Sequence, residues 1–190
     1  MRASFRARSA LSVRWLLLAL CTELASSAMS LRTELASSAM SLRFDVVVYG
    51  GTPAGIAAAI TAANSGRNAV ALIEPLTMIG GMGAAGGLGL HDQQMSNLTM
   101  ITGLAKNWSL LNGAFYGSGN LVNHPDMWVA EQSFLRMIAN ARTITTMLGC
   151  RLVDEHAVLK NQADSLRSID VMCNASQDRI TIAGAAFIDA

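Results

Sequence analysis

Aromatic residues make up only 5% of the chain, and nowhere do they interleave with a run of lysine and arginine. That removes the stacking platform and basic face a nucleic-acid binder needs. The formal net charge is +1, and the arginine excess sits in the leading residues rather than along a folding face. No apolar run reaches the roughly 20 residues a membrane-spanning helix requires. His91, His124 and His156 lie far apart and no Cys/His spacing suits zinc, so no metal is expected. No serine, histidine and acid arrangement with a nucleophile elbow is present, nor a P-loop lysine. Any chemistry must therefore come from a bound cofactor, with the protein supplying position and electrostatics. Cysteine is equally scarce: Cys21 lies in the leader, and Cys150 and Cys173 either pair or stay as buried thiols, the second being the expectation.

What is present suits one globular domain: 190 residues, 52% of them hydrophobic. Residues 1–28 have the layout of a targeting segment. Arg2, Arg6, Arg8 and Arg14 precede a short apolar core, Trp15 to Cys21, and Ser26, Ser27 and Ala28 offer small residues for cleavage. This is a secretory signal pattern, although a stretch free of acid until Glu23 also fits a mitochondrial transit peptide. The eleven residues TELASSAMSLR at 22–32 recur unchanged at 33–43. Two perfect copies without continuation are not a solenoid, and residues 29–43 read as a spacer, weakly helical at best.

The chain is organised around Phe44 to Asp92. Asp45 to Tyr49 is a valine-rich run of the kind found in a strand buried on both faces. It ends at Gly50 and Gly51, and a helix pattern follows from Pro53 towards Gly66, with Ala54, Ala57, Ala58, Ala62 and Ala63 as a small-residue face to lie on a sheet. Ala69 to Ile73 is a second buried strand, closed by Glu74. In such a βαβ unit Gly50 makes the sharp turn and Gly55 lets the helix approach the strand. The free amides of Gly50, Gly51, Thr52, Pro53, Ala54 and Gly55, less the proline's, and the positive helix end favour a diphosphate above the turn. Glu74, 19 residues beyond Gly55, is expected exposed at the strand end, accepting the hydroxyls of an adenosine ribose. Thr52 stands where G-x-G-x-x-G has its middle glycine.

With these residues in view, VVYGGTPAGIAAAI, then IEP, then GGMGAAGGLGLHD resembles the start of the FAD-dependent oxidoreductases of the glutathione-reductase-like superfamily. It is most similar to the branch carrying G-G-T-P-A-G, which has threonine at that middle position. The resemblance implies FAD rather than NAD, an α/β Rossmann-like domain over residues 44–190 with a parallel central sheet and a small antiparallel excursion, and oxidation of a small-molecule substrate by hydride transfer. It implies that Gly80, Gly81 and Met82 form a second cofactor-binding turn, that His91 lies near the flavin or is an ordinary solvated histidine, and that the Leu152 amide holds the adenine edge. It further implies that the return strand, Ala186 to Ala190, leads in longer relatives to a further glycine and acid motif and a substrate domain, so that the chain is read as an N-terminal fragment. A non-catalytic dinucleotide-binding remnant and an NAD-dependent dehydrogenase are the alternatives.

Elsewhere, a short helix is expected around Ile101 to Trp108 and a glycine and asparagine loop from Leu110 to Leu121. Asn123, His124, Pro125 and Asp126 signal a helix start. Ala130, Phe134, Met137, Ile138 and Ala141 then keep helical spacing on one core-facing side. Strands are expected at Ile144 to Leu148, Arg151 to Val153, Leu166 to Cys173 and Arg179 to Asp189. Asn97, Asn107 and Asn174 each begin an N-x-S/T sequon, slight support for secretion.

Overall fold

A computed structural model describes residues 40–86, 100–153, 158–160, 165–174 and 179–190. The leader, most of the repeat, His91 and the Asn97 sequon lie outside the described residues.

Val46, Val47 and Val48 alternate between the two faces of one strand, β1 (Met40–Tyr49), and both faces are covered. Val46 and Val48 pack under the helices with Val70 and Leu72, whereas Val47 joins Ala71 and Ile73 on the opposite side. The second strand, β2 (Val70–Glu74), is buried throughout, as a continuous apolar run in a doubly covered parallel sheet should be. Between them runs α1 (Pro53–Asn64). Its buried residues are Gly55, Ile56, Ala59 and Ile60; of the expected alanine face Ala62 and Ala63 pack half-buried against the core, whereas Ala54 is exposed. The rotation follows from Gly55: once that residue is pressed against the turn, Ala59 four residues on faces the sheet with it, flanked by Ile56 and Ile60, which are themselves four apart.

β1 also starts earlier than expected. Met40–Arg43, the end of the second repeat copy, is strand rather than spacer, in parallel register with Ile180–Ala183. The long return strand β7 (Arg179–Asp189) has backbone groups to satisfy along that edge, and these residues satisfy them.

Beyond the turn at Gly81–Gly83 come α2 (Gly103–Phe115) and α3 (Met127–Asn140). The expected loop from Leu110 is helical as far as Phe115. Ser109 and Asn112 turn inward: Asn112 Nδ2 donates to the Val122 carbonyl at 3.0 Å, and Ser109 donates to Asn123. On α3 the expected core face is buried, with Val129 and Ser133 beside it. Trp108 stacks on Phe134, centroids 5.2 Å apart, and its indole N–H donates to the Ala130 carbonyl at 3.2 Å.

The rest of the chain is β3 (Ile144–Leu148), β4 (Cys150–Leu152), β5 (Val158–Lys160) and β6 (Leu166–Cys173). The seven-stranded sheet runs β3-β2-β1-β7-β6-β4, with β5 also paired to β6. β3, β2, β1 and β7 are parallel, whereas β4, β5 and β7 all pair with β6 antiparallel. This is the α/β Rossmann-like architecture with an antiparallel excursion. The excursion curls over one face of the parallel part, because Ile169, Val171, Ile180 and Ile182 share a core with Val47, Ala71 and Ile73.

Two contacts hold the excursion. Cys150 and Cys173, opposite each other in the β4–β6 register, form a disulfide. The expectation of buried thiols is thereby corrected; the antiparallel register brings the two side chains together. Asp170, 4% exposed on β6, accepts from Thr181 Oγ1 at 2.6 Å and from Arg179 Nη2 at 2.6 Å. Burial alone would raise its pKa, but the Thr181 and Arg179 hydrogen bonds and the arginine's charge together hold it below its ordinary value.

Candidate functional site

The site is built where the carboxyl ends of β1 and β2 meet the first turn of α1. Gly50 has φ 111°, and its amide donates to the Ile73 carbonyl at 2.8 Å, which ties the end of β1 to β2. A side chain at Gly50 would put its Cβ 2.0 Å from the Ala190 carbonyl oxygen, and one at Gly55 would put it 2.0 Å from the Gly50 carbonyl oxygen. Neither position has room for a methyl group, so both glycines of the fingerprint are required by contact.

Thr52 is different. Its φ of −69° needs no glycine, and its Oγ1 caps α1 by accepting from the Gly55 amide at 3.1 Å. Thus threonine in place of the middle glycine adds a helix cap. Among the described residues the Thr52 and Ala54 amides have no hydrogen-bond partner, and Ala54 is exposed at the helix start. Pro53 has no N–H to satisfy, the usual advantage of proline in a first helical turn.

Glu74 stands differently from expectation. It is 7% exposed rather than open to solvent, and its two oxygens accept backbone amides: Oε2 from Gly51 at 2.6 Å, Oε1 from Leu76 at 2.8 Å. The carboxylate thus clamps the turn after β1 to the turn after β2. An ionised carboxylate has about four lone-pair sites, so two remain for hydroxyl donors.

The second glycine turn docks on the first. The Gly80 amide donates to the Gly51 carbonyl at 2.7 Å, and Gly81 lies against Pro53 and Thr52. Met82, one residue on, is 70% exposed. Gly50 to Gly55, Glu74, Gly80 and Gly81 therefore converge, and Met82 stands beside them. Leu152 lies further out, on β4, where its amide donates to the Tyr49 hydroxyl at 3.3 Å. Tyr49 was not singled out from sequence; the signal was a polar-tipped side chain directly after the three valines and next to Gly50.

Next to the turns an apolar cavity of about 210 Å³ opens between Pro53, Ile56, Gly83, Leu104, Trp108 and Phe134. Among the described residues no group of three His, Cys, Asp or Glu side chains is placed to hold a metal ion, and no helix is long and apolar enough to cross a membrane.

The strand, glycine turn, helix and clamped acid define a dinucleotide-binding α/β protein, and sequence comparison gives the family. Residues 45–190 match the family described as FAD dependent oxidoreductase, and the chain belongs to it. Its cofactor is FAD. The fold is shared with THI4 of Thermovibrio ammonificans, at TM-score 0.52 and 19% identity over 90% of this chain and 64% of that one. It is shared also with the myxobacterial chondrochloren halogenase CndH, an FAD-dependent halogenase, at TM-score 0.51 and 14% identity over 78% of this chain and 37% of that one. The chain thus spans less than two thirds of these relatives' length. No curated protein sequence matches it.

The residues present fit FAD. Unpartnered amides at the start of α1 would suit a diphosphate, two glycines leave the backbone bare, and a carboxyl side chain with spare acceptor capacity would suit ribose hydroxyls.

Proposed function

We propose that this chain is the FAD-binding portion of a longer flavin-dependent oxidoreductase of the G-G-T-P-A-G branch, one that takes hydride from a small-molecule substrate. When bound, the flavin would accept the hydride; the residues described here bind and orient it. The Thr52 and Ala54 amides and the positive end of α1 hold the diphosphate. Glu74 accepts the ribose hydroxyls while it keeps the two turns together. Gly80, Gly81 and Met82 border the path from diphosphate towards the flavin, and Leu152 belongs to the adenine end. The observation that carries this reading is the joint between the turns, Glu74 to Gly51 and Gly80 to Gly51. Two turns held together in this way support a surface for one extended ligand over an ordinary strand-to-helix connection.

The test is a titration of the purified chain with FAD and with ADP, followed by flavin fluorescence and calorimetry. Saturable binding of both at one site, lost in Gly55→Val, is expected. Binding of neither would overturn the reading, and preference for NAD over FAD would favour a nicotinamide enzyme.

The N-terminal segment is proposed to direct the chain to the secretory pathway. Its arginine, apolar core and small-residue order supports that, as does the Cys150–Cys173 disulfide, a bond that persists in oxidising compartments. Sequencing the N-terminus of the mature protein from its native source would check it; an intact Met1 in a cytosolic fraction would refute it.

A further inference from the structure

One hydrogen-bonding group at the carboxyl edge of the sheet has an unspent donor. Resting on the reading that a dinucleotide lies across Gly50–Gly55 and Glu74, the position of its base follows from connectivity. The base is joined to the ribose on the side away from the diphosphate, so it comes to lie beyond Glu74, away from the turn. The groups there are Leu148, in register with Glu74, then Gly149, whose amide donates to the Leu76 carbonyl at 2.7 Å, then β4. Tyr49 reaches the same ground from β1. Its hydroxyl accepts the Leu152 N–H at 3.3 Å, joining residues 103 apart in sequence.

A phenol both accepts and donates. Having accepted from Leu152, the Tyr49 hydroxyl keeps its own proton, which meets no acceptor among the described residues, and the side chain is only half-buried. The Leu152 amide is spent on Tyr49. Whatever base lies here is therefore offered an O–H rather than that backbone N–H. The ring nitrogens of a purine are acceptors suited to it, and adenine presents several along its edges.

We propose that Tyr49 is the base-reading residue of the site: its hydroxyl, oriented by the Leu152 amide, donates to a ring nitrogen of adenine. Leu152 then acts on the base through Tyr49 instead of touching it. Tyrosine next to the first glycine serves specificity as well as packing, since phenylalanine would fill the same volume without the donor.

The test compares ADP with UDP, which shares the ribose and diphosphate but carries a pyrimidine. The wild-type chain is expected to prefer ADP, and Tyr49→Phe to lower ADP affinity roughly 3- to 10-fold, the worth of one neutral hydrogen bond, while leaving UDP unchanged. Equal losses for both nucleotides would mean that Tyr49 only steadies β4, and no loss for either would mean that it is idle; both overturn the proposal. Equal wild-type affinity for the two nucleotides would also overturn it, with the dinucleotide reading intact. Binding of neither would remove both readings together. A second measurement needs no variant: among ADP analogues with one ring nitrogen replaced by carbon, one must lose several-fold in affinity, and if none does the donor has no partner on the base.

Discussion

The Glu74 carboxylate lies 2.6 Å from the Gly51 amide, across 23 residues of sequence, and this bond joins the end of β2 to the turn after β1. A side chain at Gly51 would meet Glu74 Oε2 at 2.9 Å, so the two residues are mutually constrained. The acid expected to wait at a strand end for ribose also holds the glycine turn after β1 in place.

Glu74→Ala should therefore weaken both fold and cofactor. Losing charge-assisted bonds to Gly51 and Leu76 in a buried place costs about 1.5–3 kcal/mol each before relaxation. We expect a urea-denaturation loss of roughly 2–4 kcal/mol together with reduced FAD affinity. Glu74→Gln, which keeps one acceptor, should fall between. A variant of unchanged stability that still binds FAD would remove Glu74 from the clamp and from the site.

Gly55→Val should abolish FAD binding, because its Cβ would begin 2.0 Å from the Gly50 carbonyl oxygen. The helix must move off the strand, and its amides leave the diphosphate position with it. Even Gly55→Ala should be severe. Stoichiometric flavin in the Val variant, measured by absorbance after desalting, would contradict the turn assignment.

Acid should destabilise the antiparallel part of the sheet through Asp170. Its folded pKa lies below the unfolded one, so its contribution is fully present above the ordinary carboxylate range and is lost as pH falls through the lowered folded value. Thermal melting between about pH 5 and pH 2 should therefore show a loss that Asp170→Asn, already lacking the charge, does not show over the same window. Parallel pH profiles would take Asp170 out of the account.

Reduction of Cys150–Cys173, or Cys173→Ser, should lower stability by about 3 kcal/mol, the chain-entropy value for a loop near this size. Because β4 carries Leu152, ADP affinity should fall in the reduced protein more than ribose or diphosphate contacts alone would predict. Identical melting with and without reductant would show that the pair contributes nothing to the fold.

Local order was written plainly in the chain. The continuous valine run placed β1 from Asp45 onward, the spacing from Gly55 to Glu74 placed the βαβ unit, and helical periodicity placed the core face of α3. The limits of β3, β6 and β7 could be read within a residue, because each signal is carried by neighbours a few positions apart. The candidate turn was legible for the same reason: Gly50, Gly55 and Glu74 answer to one short motif.

Tertiary structure decided the rest, where the partners are remote. That Glu74 is buried on the Gly51 amide depends on how two turns stack. That Cys150 meets Cys173, and that Asp170 finds Thr181 and Arg179, depends on antiparallel register, which a shift of one residue would reverse face by face. The face α1 buries was set by the contact of Gly55 with Gly50, not by where its alanines are most numerous. Tyr49 and Leu152, 103 residues apart, touch only because the excursion curls back over the sheet, and no periodicity along the chain encodes the depth of that curl.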